Sequence, residues 1–158
     1  MKQTIINIIH NTLGALVFIT AFFFACDAVA TEYDVDKIGP YGMTQIDRVY
    51  DGDTFYGWAQ TFIYQTTYMK IRIRSIDTPE IRGSGECEKK MAYAARDYLM
   101  SLLANAKSVT LDDLGYDNFG RVLASVHADN VNVAAKMISS GHGRPYIKGA
   151  SGGWCLRG

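Results

Sequence analysis

YMKIRIRSIDTPE, residues 68–80, is the stretch on which the fold turns. From Tyr68 to Ile73 the residues alternate, with Lys70, Arg72 and Arg74 on one face and Met69, Ile71 and Ile73 on the other. A period of two predicts a strand with one face in a core and the other toward water. The run breaks at Asp77-Thr78-Pro79-Glu80. Taken alone, that quartet reads as a helix start, with Asp or Thr as N-cap and Pro at the first helical position.

Two more strands are expected upstream. Ile46, Val49 and Tyr50 make one β-rich run and Thr54, Phe55 and Tyr56 another, joined by a hairpin-type turn at Asp51-Gly52. Thr31 to Gly42 is polar and holds Gly39-Pro40, so it reads as an N-terminal arm. Downstream of the Gly-rich loop at Gly83 to Gly85, Met91, Ala94, Ala95, Tyr98, Leu99, Leu102 and Leu103 repeat at helical spacing. They predict an amphipathic helix of about four turns. Ser108 to Leu111 and Arg121 to His127 read as short strands, with a turn signal at Asp129-Asn130. A second helix is expected over Asn132 to Ser140, stopped by Gly141. Three strands, a helix, two strands and a helix suit a small five-stranded Greek-key barrel. The domain is expected to span residues 44–148, with an arm at 31–43 and a tail at 149–158.

Among 158 residues, Lys plus Arg number 16 and Asp plus Glu number 16, and 48% are hydrophobic. That balance excludes intrinsic disorder and collagenous or low-complexity chains. The three Cys residues include no C-x-x-C pair, which removes the zinc-knuckle and dithiol redox classes. Zero net charge counts against a protein that adheres tightly to nucleic acid through a basic surface. It leaves open one that concentrates positive charge at a single site.

The N-terminus is compositionally distinct. LGALVFITAFFFA, residues 13–25, is uncharged but short for a bilayer, which needs about 20 apolar residues. It reads as the core of a signal peptide over residues 1–30, cleaved after Ala28-Val29-Ala30, which makes the protein secreted or periplasmic. The alternatives are an uncleaved membrane anchor and lipidation at Cys26. In an oxidising compartment the remaining pair, Cys87 and Cys155, is expected to form one disulfide tying the tail to the domain; two free thiols are the alternative. Trp154 and Cys155 then fold back over the body.

Three clusters carry chemistry: Asp51-Gly52-Asp53-Thr54, Arg72 with Asp77-Thr78-Pro79-Glu80, and Tyr116-Asp117-Asn118-Phe119-Gly120-Arg121. Each alone is ordinary turn or cap chemistry. Together they supply hard oxygen ligands without His or Cys, which suit Ca²⁺ or Mg²⁺. Arg72 and Arg121 can grip phosphate oxygens bidentately, and Glu80 is free to orient or deprotonate a water. These are the parts for metal-assisted hydrolysis of a phosphodiester.

With these motifs in this order, the chain resembles the staphylococcal nuclease (thermonuclease) family over about Thr44 to Gly143. The resemblance implies an α+β fold, a five-stranded Greek-key oligonucleotide/oligosaccharide-binding barrel with two or three helices. It implies that Asp53, Asp77 and the backbone carbonyl of Thr78 hold calcium, that Glu80 acts on the attacking water, and that Arg72 and Arg121 bind the scissile phosphate. Asp51 would support the ligands from behind, and Thr54 would order water beside the ion. The implied activity is cleavage of DNA and/or RNA with little sequence selectivity, the 5′-oxygen leaving and 3′-phosphates remaining. A monomer without a stable protein partner is implied as well. Two family tyrosines beyond the second helix find Ile147 and Gly149 at their places, so the nearby Tyr146 becomes the candidate substrate contact. A different class of reading is a non-catalytic nucleic-acid-binding barrel. Such degenerate domains lose an acidic ligand or an arginine, and this chain keeps Asp53, Asp77, Glu80, Arg72 and Arg121. A third is a surface-anchored interaction protein.

Overall fold

A computed structural model describes residues 39–82, 85–149 and 153–155. The expected leader, its cleavage site and Cys26 lie outside them. Among the described residues no helix is long and apolar enough to cross a membrane.

Three long strands come first: β1 (Tyr41–Val49), β2 (Thr54–Phe62) and β3 (Gln65–Ile73). They form an antiparallel meander, and β1 also pairs antiparallel with β5 (Val109–Tyr116). β5 pairs antiparallel with β6 (Val122–Ala128), and β6 closes the ring by running parallel to β3. The result is a closed five-stranded barrel, so none of its five strands is left with a bare edge. Together with helices α1 (Glu86–Asn105) and α2 (Val133–Ser139), it makes an α+β oligonucleotide/oligosaccharide-binding fold.

Short elements finish the frame. β7 (Val131–Asn132) turns back to pair antiparallel with the end of β6, while β4 (Ile76–Asp77) and β8 (Arg144–Pro145) form a separate two-stranded sheet.

The alternation read in the sequence sets what is inside. Phe55 and Ala59 of β2, Ile71 and Ile73 of β3, Leu111 of β5, and Ala124 and Val126 of β6 are buried together. Leu99 and Leu103 of α1 and Met137 of α2 complete the core. Curving three strands this tightly needs bulges, and β1 has register shifts between Met43 and Gln45 and between Ile46 and Arg48. Gly57 of β2 faces the bulged part of β1. A Cβ there would sit 2.3 Å from the Gln45 carbonyl oxygen, so the close approach requires glycine.

Several boundaries differ from expectation. β1 starts at Tyr41, within the stretch read as arm, because Tyr41 and Gly42 find partners in Leu111 and Thr110. β3 and β5 are longer than their apolar runs, since ladder pairing continues through Gln65 to Thr67 and through Asp112 to Tyr116. α1 begins at Glu86, with Glu86 and Glu88 in its first turn favouring the positive helix end. Its buried stripe is Ala92, Ala95, Leu99 and Leu103, and Ala94, expected inside, faces water. α2 matches its reading closely: Asn132 caps it by accepting from Ala135 N at 2.9 Å, and Gly141 follows in the left-handed region at φ 77°.

Candidate active site

The buried polar side chains among the described residues are Asp51, Asp53, Thr54 and Thr78. They all meet at one end of the barrel. The β1–β2 turn puts the first three there: Tyr50 N donates to the Thr54 carbonyl at 2.8 Å, and Asp53 N donates to Asp51 Oδ1 at 3.2 Å. Gly52 lets this turn press inward, because a Cβ there would stand 2.8 Å from Ala95 Cβ and 2.9 Å from Thr78 Cβ.

Asp53 is the hub. It is 2% exposed; its Oδ1 accepts the Thr54 hydroxyl at 2.9 Å, and its Oδ2 accepts the Thr78 hydroxyl at 3.1 Å. The Arg72 guanidinium lies directly against Oδ2 and also donates to the Ile76 carbonyl at 3.2 Å. Burial pushes the Asp53 carboxyl up to about 7; Arg72 pulls against that rise, Asp51 adds to it, and the Thr54 hydroxyl opposes it.

Arg121 arrives through the barrel closure. The parallel register Ile71↔Val122 sets the start of β6 beside β3, so Arg121, just ahead of β6, reaches Thr54 Oγ1 with Nη1 at 3.4 Å. Its Nε donates to Asp117 Oδ2. Asp117 Oδ1 also accepts Phe119 N at 2.8 Å and Arg121 N at 2.9 Å, which fixes loop and guanidinium as a unit. Partial burial works to raise the Asp117 carboxyl, but hydrogen bonds from Arg121 and Phe119 outweigh it and hold the group below the usual range.

Asp77 and Glu80 sit on the segment that follows β3. The bond from Thr78 to Asp53 draws this segment onto the hub. Asp77 pairs in register with Arg144 across β4 and β8, and its Oδ2 accepts Arg144 Nε at 2.9 Å. Glu80 is open to solvent. Partial desolvation, with Asp51 and Asp77, raises its carboxyl, while Arg72 and Arg121 lower it. The charges acting on Glu80 are thus the ones gathered at the hub.

A cleft of about 490 Å³ opens beside these groups, lined by Arg72, Ser75, Asp117, Phe119, Arg121 and Tyr146. Tyr146 therefore shares a cleft with both arginines, and Phe119, whose ring lies 5.5 Å from Arg121 Cζ, shares it too. A smaller hollow of about 280 Å³, between the end of α1 and α2, is lined by Leu102, Asn105, Ala128 and Lys136 and holds none of the hub residues.

Behind Asp77 stands the tail. Arg144 Cζ lies 4.3 Å over the Trp154 ring, and the next residue, Cys155, is bonded to Cys87 at the start of α1. The expected disulfide is present in the structure. Asp117, Phe119, Arg144 and Trp154 are contributors that the sequence reading gave no role at the site. An acidic residue four ahead of Arg121 was a visible signal for Asp117, whereas nothing local marks Arg144 as the partner of Asp77.

Among the described residues no group of three or more His, Cys, Asp or Glu side chains is close enough to hold a metal ion. The expected ligand set, two carboxylates and a backbone carbonyl, does not call for one.

A barrel of this class, with buried carboxylates and arginines converging at one end, has a counterpart among known families. The family described as staphylococcal nuclease homologue matches residues 70–151, and the chain belongs to that family. The matched span holds Arg72, Asp77, Thr78, Glu80, Arg121 and Tyr146 and begins after the Asp51–Thr54 turn. No curated protein matches the chain.

Proposed function

We propose that the protein is a calcium-dependent endonuclease that hydrolyses phosphodiester bonds of DNA and/or RNA with little sequence selectivity. The observation that carries this reading is the hub: the Asp53 carboxylate, 2% exposed, is in contact with Arg72, and Arg72 lines a cleft together with Arg121. A carboxyl whose burial outweighs the pull of Arg72, leaving it at about 7, is a group that gains by meeting a cation, and an all-oxygen donor set fits a hard one. Asp53, Asp77 and the Thr78 carbonyl would hold calcium. When bound, the ion supplies positive charge that polarises the phosphate.

The chain's own residues do the rest. Arg72 and Arg121 bind the non-bridging phosphate oxygens and meet the negative charge that grows there as the bond to phosphorus forms. Asp117 keeps Arg121 aimed. Glu80, exposed and with a raised carboxyl, takes a proton from the attacking water. In-line attack expels the 5′-oxygen and leaves a 3′-phosphate. Phe119 and Tyr146, both exposed aromatics in the cleft, are the surfaces for a base or sugar. The disulfide supports work in an oxidising compartment after export.

The test is cleavage of single-stranded DNA and RNA by the purified chain, with calcium and with chelator. Cleavage should need calcium and should fall sharply in Glu80→Gln. Binding without cleavage under every condition would favour the non-catalytic barrel instead.

A pH dependence follows from Asp53. Its folded value lies above the ordinary carboxylate value of 3.8, so its share of stability is fully present below 3.8 and is lost as pH rises through about 7. Calcium-free protein should therefore unfold more easily in urea at pH 8 than at pH 5, and Asp53→Asn should flatten that slope. Calcium affinity should climb up to about tenfold per pH unit toward 7 and then level off, because the ion must displace the Asp53 proton. An unchanged slope in Asp53→Asn would show that another group is responsible.

A further inference from the structure

We propose that the outer face of β1, β2 and β3 is a second, extended binding surface for single-stranded nucleic acid, leading out of the cleft; the proposal rests on the nuclease reading of that cleft. The register of β2 with β3 pairs Thr54 with Arg72, Tyr56 with Lys70 and Trp58 with Tyr68. These are alternate pairs on the side opposite Phe55 and Ile71, which are in the core. The first pair belongs to the active-site hub, so the next two continue the same face away from it, about 7 Å per step along the strands.

That face is unusual for a strand surface turned to water. Trp58 is 40% and Tyr68 43% exposed, with ring centroids 5.2 Å apart, and Tyr56 follows 6.2 Å from Tyr68. Cations are interleaved with the rings. Arg48 of β1, paired with Tyr56, stacks its guanidinium 4.1 Å over that ring, and Lys70 Nζ stands 5.6 Å from Tyr56 and 5.9 Å from Tyr50. Asp47 accepts the Tyr68 hydroxyl at 2.6 Å.

Rings flanked by guanidinium and ammonium groups offer base stacking and phosphate attraction together, which is how barrels of this fold hold single strands without reading sequence. A duplex keeps its base faces stacked inside and cannot use such a platform. The continuity with Arg72 favours this occupant over a lipid surface, although the β2–β3 hairpin tip carries exposed Phe62, Ile63 and Tyr64. A strand cut at Arg72 and Arg121 would thus be gripped over several nucleotides to one side of the cut.

The test compares a 20-nucleotide and a 3-nucleotide thymidine oligomer by fluorescence anisotropy, in chelator so that neither is cut. Wild type should bind the longer oligomer much more tightly. Trp58→Ala with Tyr68→Ala should lose roughly ten- to a hundredfold of that advantage, and Trp58→Phe with Tyr68→Phe should keep most of it. A urea midpoint near wild type would show that the barrel is intact. If wild type shows no length advantage, or the alanine pair keeps it, the proposal falls even where calcium-dependent cleavage is found. If the advantage is lost while no protein cleaves any substrate, the surface stands and the nuclease reading falls. Unchanged oligomer binding with lost binding to anionic phospholipid vesicles would reassign the face to a membrane and overturn the proposal.

Discussion

Arg121→Ala is expected to slow phosphodiester cleavage by about 10²–10³-fold while leaving the barrel folded. The magnitude follows from what the guanidinium would do in the proposed mechanism: meet charge that appears only as the phosphate passes through its transition state. A loss of that size corresponds to about 3–4 kcal/mol of barrier. The fold should survive because the Asp117 loop keeps its backbone donors, Phe119 N at 2.8 Å and Arg121 N at 2.9 Å, whatever side chain follows. Arg121→Lys should restore little, since a point charge cannot replace a planar fork locked by Nε to Asp117. Single-turnover rates with saturating calcium, alongside urea unfolding, are the measurement, and wild-type rates in a folded Arg121→Ala would remove Arg121 from the mechanism. Arg72→Ala should be equally slow but less clean. Arg72 is also the counter-charge against buried Asp53, so its loss should destabilise the calcium-free protein as well.

The second large effect is on stability. Replacing Cys87 and Cys155 together by serine should lower the unfolding free energy by about 4 kcal/mol, the loop-closure value for a separation of 68 residues. A small domain has about 5–15 kcal/mol in total, so the shift in urea midpoint should be plain. The bond holds more than two chain segments. Cys155 carries Trp154, whose ring backs Arg144, and Arg144 in turn grips Asp77 with Nε at 2.9 Å and Nη2 at 2.8 Å. Loss of the bridge should therefore also weaken calcium affinity in the fraction that remains folded. Equal midpoints for the double-serine protein and wild type would mean that the tail contributes nothing to the fold.

What the sequence disclosed, and what it hid, has a physical pattern. The strict alternation around Ile71 and the helical spacing around Leu99 are long enough to show their period, so the barrel and α1 were legible. Hub residues were legible only in combination, because Asp51-Gly52-Asp53-Thr54 alone is ordinary turn chemistry and gains a use only beside the Arg72–Glu80 and Arg121 clusters. β4 and β8 were hidden, since two-residue strands have no period to read. The Asp77–Arg144 pair depends on their register and so was hidden with them. Asp117 stood in plain view but looked like any turn aspartate until its carboxylate was seen to hold both a loop and a guanidinium. The outward rings of Trp58 and Tyr68 were equally mute, because alternation says which residues share a face and not which face is wet.

The parallel seam between β3 and β6 has a consequence in time. It is the contact that sets Arg121 beside Arg72, and it joins segments far apart in the chain, with Ile71 opposite Val122. Asp53, Arg72, Asp77 and Glu80 all precede β6, but Arg121 is set beside Arg72 only when β6 pairs with β3, and Arg144, which holds Asp77, follows β6. Contacts between such distant segments form late, after the local meander. A chain still being made, or held unfolded for transport, thus has no assembled centre. Under the proposed nuclease activity, nucleic acids around the unfolded chain would be spared until β6 closes the barrel.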